Sequence, residues 1–281
     1  MMRTVSLQWP LLVSNVCVDV LATCFVLLLL FSCKEAAVAL DHTELRGNAM
    51  EWRSAIATWY GSPDGDGSDG GACGYGTLVD QKPLRATVGA VSPVLFHGGE
   101  GCGACYKVKC MEKGLCSQKP VTVVITDVCG GGYSAFGGGT HFDLSGAAFG
   151  RMATHGKTPA LLNSGELPVL YRRTFCKYPG KNISFHVTEG STVYWFSILI
   201  EYEDGDGDVG AVHLKQVDSN AWMKMRHIWG VNWFLPGGAP LKAPFSVRVT
   251  TLTSKRTLSA MNVIPEHWYP NATYSARVKF D

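Results

Sequence analysis

The sequence predicts an all-β protein of two domains, a β-barrel followed by an immunoglobulin-like β-sandwich. Three observations carry this. From Trp52 to Tyr178 short apolar runs such as Val121–Thr126 lie between glycine-rich turns, the pattern of a small barrel. Beyond Tyr178-Pro179-Gly180 cysteine disappears and side chains alternate with period two, as in Ile183, Phe185, Val187 and Phe245, Val247, Val249 and Tyr274, Ala276, Val278, Phe280. Such alternation belongs to half-buried sandwich strands, and neither half carries a long helical period.

Taken in order, the chain begins with a segment to be set aside. The run VDVLATCFVLLLLF, residues 18–31, follows Arg3 and precedes the small-x-small triplet Ala37-Val38-Ala39, which reads as a secretory signal over residues 1–39. A membrane anchor is the rival reading, but the run is short beside the ~20 apolar residues a bilayer core needs. The signal contains Arg3, Lys34, Asp19 and Glu35, so the formal charge of the mature chain stays at +2. Nothing in that balance points to nucleic acid. The sequons Asn182-Ile183-Ser184 and Asn271-Ala272-Thr273 permit N-glycans in the secretory pathway.

Ten cysteines occur in all. Cys17, Cys24 and Cys33 leave with the signal, and Cys73, Cys102, Cys105, Cys110, Cys116, Cys129 and Cys176 fall in the first domain. Clustering of this kind in a secreted chain reads as a disulfide framework. Cys102 and Cys105 have zinc-type CxxC spacing, but no second well-spaced pair completes a ligand set; no metal and no cofactor is expected. Seven is odd, so one thiol is left over.

The first domain spans residues 52–178. Its one helix start is SGAAFGRMA, with Ser145 as cap candidate. The joint near Pro179 combines a proline, a glycine and a change of composition, and residues 181–281 have the length of an immunoglobulin-like sandwich. Three polar clusters in the first domain carry the candidate chemistry: Thr58-Trp59-Tyr60, then Asp127 at the end of an apolar strand, then His141 and Asp143 on either side of Phe142. Residues two apart in a strand point the same way, so His141 and Asp143 face one space while Phe142 turns to the core. The bland alternative makes Asp127 the cap of a turn at 128–132 and Asp143 the cap of the helix near Ser145. Asp204-Gly-Asp206-Gly-Asp208 fails as a calcium loop, because Val209 and Lys215 stand where glycine and glutamate are needed. It reads as an acidic hairpin turn.

Together with Gly70-Gly71-Ala72-Cys73-Gly74-Tyr75, Gly101-Cys102-Gly103-Ala104-Cys105-Tyr106, Ile125-Thr126-Asp127 and Phe245-Ser246-Val247-Arg248-Val249-Thr250, these clusters occur in the order found in expansins. The chain resembles plant β-expansins over residues 52–281. The resemblance implies a double-psi β-barrel like that of family 45 endoglucanases, followed by a polysaccharide-binding β-sandwich. It also implies the disulfides Cys73–Cys102, Cys105–Cys176 and Cys110–Cys116, with Cys129 free. In the family 45 enzymes the aspartate matching Asp143 is the general acid, and the position of their general base is occupied here by Ser62.

That substitution bears on chemistry. An inverting glycosidase needs an acid and a separate ionised base roughly 6.5 to 9.5 Å apart. Serine is not ionised near neutral pH, and losing a positioned base costs roughly 10² to 10⁴ in rate. Asp64, Asp66 and Asp69 are the nearby carboxylates that could stand in, although their glycine-rich surroundings suggest a solvated loop. The expectation is a secreted, monomeric, non-enzymatic wall protein that binds cellulose or xylan-type glycans, with peripheral membrane association left open. Trp59 and Tyr60 would stack on sugar rings while Thr58, Asp127, His141 and Asp143 bond to hydroxyls. In the sandwich the resemblance places exposed aromatics at Trp195 and Trp229, with Trp222 and Trp233 as core candidates and Lys215, Lys224 and Arg226 as possible auxiliary contacts.

Overall fold

The computed structural model describes residues 51–130 and 139–280. The signal segment 1–39 lies outside them, as does the glycine run 131–138. Six strands close a barrel: β1 (Arg53–Tyr60), β2 (Val88–Val91), β3 (Cys105–Cys110), β4 (Val121–Val128), β5 (His141–Ser145) and β6 (Leu167–Thr174), in the order β1-β5-β2-β4-β3-β6. Two pairs, β1 with β5 and β2 with β4, run parallel and the other contacts are antiparallel. The interior is filled by Phe142, Tyr106 and Tyr171, whose rings meet at centroid distances of 5.1 to 6.0 Å, together with Val108, Ile125, Leu144 and Val169. Three short helices, α1 (Pro93–Phe96), α2 (Gly146–Gly150) and α3 (Thr158–Asn163), ride on the barrel. Ser145 caps α2, its hydroxyl accepting from the Ala148 N–H at 3.0 Å, and this leaves Asp143 free of the capping role.

Nine strands follow: β7 (Ser184–Val187), β8 (Trp195–Glu201), β9 (Val209–Lys215), β10 (Met223–Lys224), β11 (Arg226–Trp229), β12 (Asn232–Pro236), β13 (Phe245–Thr251), β14 (Thr257–Ile264) and β15 (Thr273–Ser275). They form a four-stranded sheet, β10-β9-β13-β14, and a five-stranded sheet, β11-β12-β8-β7-β15. Alternation sends Ile183, Phe185, Val187, Phe196, Ile198, Phe245, Val247 and Val249 into the core between them. Segment 204–208 is not a hairpin turn: it carries the chain from β8 in one sheet to β9 in the other. Two of its carboxylates, Asp206 and Asp208, are buried with structural partners. Asp208 pairs with Arg173 of the barrel at 2.9 Å, and Asp206 accepts from the Ser254 N–H at 2.7 Å.

Barrel and sandwich meet over a shared apolar patch of Cys73, Cys102, Leu199 and Val231. The Val231 N–H donates to the Cys73 carbonyl at 3.1 Å and the Cys176 N–H to the Gly205 carbonyl at 2.6 Å. Three disulfides, Cys73–Cys102, Cys105–Cys176 and Cys110–Cys116, tie the barrel, and Cys129 is free and buried.

Candidate polysaccharide-binding site

On β1 the alternation is the key to the site. Ala55, Ala57 and Trp59 turn toward the barrel core, while Ile56, Thr58 and Tyr60 turn the other way. Parallel pairing sets Thr58 beside Asp143 and Ile56 beside His141. The Thr58 hydroxyl donates to Asp143 Oδ1 at 2.6 Å and lies 3.1 Å from His141 Nε2. A threonine has one hydroxyl hydrogen, so with that hydrogen on Asp143 the imidazole must donate from Nε2. The Nδ1 atom is then an acceptor, and the Cys129 thiol lies 3.4 Å from it. Burial pushes that thiol up to about 12, with Asp143 adding to the shift, so the sulfur keeps its proton and donates it. A directed chain results, Cys129 to His141 to Thr58 to Asp143, ending on the carboxylate as acceptor.

His141 is only 3 % exposed. Burial holds its pKa below the ordinary value against the opposing pull of Asp143, keeping it neutral. It therefore stands behind Thr58 and orients it, in place of the direct sugar contact that the sequence suggests. Asp127 Oδ1 accepts the N–H groups of Ala72 at 2.7 Å and Val128 at 2.8 Å; it closes the turn at Val128 and also fixes the 71–74 segment. Tyr60 is half-buried between these carboxylates. Desolvation, then Asp127 and Asp143, push its phenol up to about 12, so it remains an O–H donor.

Trp59 departs from expectation. It packs against the barrel core, and its indole N–H donates to the Leu162 carbonyl at 2.9 Å. Ser62 sits in a closed turn. Its N–H donates to the Asp66 carbonyl at 2.9 Å, its carbonyl accepts from Gly65 at 3.0 Å, and its hydroxyl donates to the Asp64 carboxylate. Asp64, Asp66 and Asp69 are all exposed.

The line of polar groups continues onto the sandwich through Cys73 and Gly74. Gly74 has φ +83° and supports the Trp229 ring so closely that a Cβ there would come within 2.6 Å of it. Trp229, 50 % exposed, and Trp195, 37 % exposed, stand on the five-stranded sheet. Phe234 completes the row, stacked on Trp195 at 5.8 Å with an interplanar angle of 28°. Sequence reasoning missed Phe234, although period two from Asn232 would have put both on one side of β12. Of the triplet 194–196, Phe196 is fully buried while Tyr194 and Trp195 face out. Trp233 is core, but Trp222 is not. It lies half-buried at the sheet edge beneath Arg248 at 4.0 Å and Lys215 at 5.6 Å. Lys224 and Arg226 are exposed. The sequon Asn271 is exposed, whereas the Asn182 amide donates to the Ala276 carbonyl at 2.9 Å. Among the described residues no group of three or more His, Cys, Asp or Glu is placed to hold a metal ion, and no helix is long and apolar enough to cross a membrane.

The comparisons agree with this architecture. A family model described as the expansin C-terminal domain matches residues 183–265, and one described as lytic transglycolase, of the double-psi β-barrel type, matches residues 88–171. Expansin-B16 of Oryza sativa subsp. japonica is 64 % identical over 230 residues, covering 82 % of this chain and 84 % of its own. Expansin-B3 of Arabidopsis thaliana is 56 % identical over 257 residues, covering 92 % and 94 %. Among solved structures, apo expansin of Clavibacter michiganensis has a TM-score of 0.60 at 20 % identity, covering 82 % of this chain and 98 % of its own. A mutant of that bacterial expansin, solved in complex with cellohexaose, has a TM-score of 0.59 at the same identity and coverage. With two plant β-expansins more than half identical across most of its length, the chain belongs to the expansin family, in its β-expansin branch.

Proposed function

We propose that this protein is secreted to the plant cell wall, where it binds wall polysaccharides and loosens their non-covalent contacts without hydrolysis. Cellulose or a xylan-type matrix glycan lies along the barrel residues Thr58, Tyr60, Asp127 and Asp143, with His141 fixing Thr58, and continues over Trp229, Phe234 and Trp195. The bacterial relative crystallised with cellohexaose supports a glucan ligand for the shared fold. The observation that carries the non-hydrolytic reading is Ser62. The position of the base holds a hydroxyl that is already donated to Asp64, and Asp143 accepts a hydrogen from Thr58. Acid–base catalysis across a glycosidic bond needs a donor and a separate ionised base on opposite faces of the sugar, and a serine hydroxyl at the second position does not supply that base. What remains is a polar groove in line with an apolar platform on one body. Such linked weak sites raise avidity without a covalent step.

The test is extension of heat-inactivated plant walls held under constant load. Added protein is expected to restore creep. Binding to the walls without creep would reduce the protein to a polysaccharide-binding module.

A further inference from the structure

The geometry points to a second carbohydrate site, in the cleft between the barrel segment 74–81 and the face of β7, β8 and β15, that takes a short uncharged oligosaccharide. It rests on the polysaccharide-binding reading and adds to it a second chain. The cleft is open to solvent and holds about 510 Å³, within the range of small-molecule sites. Its sandwich wall is a ladder of paired polar groups: Ser184 and Ser275 hydroxyls 2.8 Å apart, then His186 Nδ1 and the Thr273 hydroxyl 2.9 Å apart. Facing them, Thr77 and Gln81 are exposed, and neither side chain makes a hydrogen bond among the described residues. Leu199 and Leu78 supply apolar surface between the two walls.

The chemistry selects the ligand. A strong anion would meet the buried Glu201 carboxyl and a cation would meet Lys181, both of which line the cleft. Sugar hydroxyls, which donate and accept at once, meet neither penalty. They match hydroxyls, an amide and an imidazole whose roles can interchange, and the C–H faces of the ring fit the leucines. Burial pushes Glu201 up to about 7, against the opposing pull of Lys181, so it too can both donate and accept near neutral pH. Position gives the site its meaning. Gly74 supports the Trp229 ring and also forms the rim of the cleft. A glycan on the aromatic row and a chain end in the cleft would therefore lie on either side of one ridge, and the protein would hold two neighbouring chains.

Calorimetric titration of the mature protein with cellohexaose and xylohexaose separates the sites. In the Trp195→Ala/Trp229→Ala protein, weak binding of about millimolar affinity should persist for at least one of the sugars. Adding Thr77→Trp, which fills the cleft from an exposed position, should weaken that residual about ten-fold, and Gln81→Ala about three-fold. Thr77→Trp alone should leave the thermal unfolding midpoint unchanged, which shows the variant is folded. Loss of all oligosaccharide binding in the double tryptophan variant, or residual binding indifferent to Thr77→Trp, overturns the cleft site while the aromatic row stands. Wild-type protein that adsorbs to no wall polysaccharide overturns the underlying reading and the cleft site with it.

Discussion

The proposed barrel groove and the aromatic platform of the sandwich are built by opposite means. In the barrel, the polar side chains are committed to one another and to backbone: Cys129, His141, Thr58 and Asp143 form one directed chain, and Asp127 closes on Ala72 and Val128. On the sandwich, Trp229 and Trp195 stand exposed on a sheet surface, with the half-buried Phe234 stacked on Trp195. Hydrogen bonds that exchange with water return only about 0.5 to 1.5 kcal/mol each, whereas covering a large apolar side chain returns about 1.5 to 3 kcal/mol. On the proposed reading, affinity falls to the sandwich and orientation to the barrel, which requires the two to be held as one body.

The largest expected effect tests that holding. Glu203, 4 % exposed at the domain junction, has Oε2 on the Gly207 N–H and Oε1 without a partner. Desolvation, reinforced by Asp206 and Asp208, pushes its carboxyl up to about 8, and Glu201 rises to about 7. Both folded values lie above the ordinary 4.5, so the folded state binds the extra protons. Stability is therefore fullest in acid and falls as pH rises from the ordinary carboxyl value through these two, by a few kcal/mol in all. Urea midpoints at acid and alkaline pH should show the fall, and Glu203→Gln should flatten it; an equally stable protein at both ends would mean the junction is looser than drawn.

Next in size is the platform. Trp195→Ala with Trp229→Ala should lower adsorption to cellulose more than about ten-fold, from about 1 to 2 kcal/mol for each ring. A loss of under two-fold in depletion binding would shift the affinity to the barrel and reverse the comparison. Smaller still is Thr58→Val, which keeps shape and removes the hydroxyl between His141 and Asp143. It should destabilise by about 1 to 2 kcal/mol, since the hydroxyl's hydrogen bonds to Asp143 and His141 are both lost. Adsorption should change less than about three-fold, read by the same assay alongside thermal unfolding.

Much of this was legible from residue order. Period two in His141-Phe142-Asp143 foretold a core phenylalanine between two side chains that meet on one face, and the serine before Gly146 marked its helix. Trp59 was misplaced because an aromatic beside Thr58 invites a functional reading. Yet Ala55 and Ala57, four and two residues earlier, already marked its face as the inward one. Trp222 was misassigned as core because nothing in its neighbourhood reveals that Arg248 and Lys215 arrive from β13 and β9 to cover it. The burial of His141 and the raised carboxyl of Glu203 depend on strands far apart in sequence closing over them, which no local spacing records.

The central claim is that the groove holds and does not cut. Its most direct measurement is soluble sugar and new reducing ends released while heat-inactivated walls creep under load, with wild type and Asp143→Asn compared. Creep is expected with no release above the protein-free control for either protein. Sugar released by wild type and abolished by Asp143→Asn would contradict it, and would make Asp143 a working acid whose base comes from the loop around Ser62.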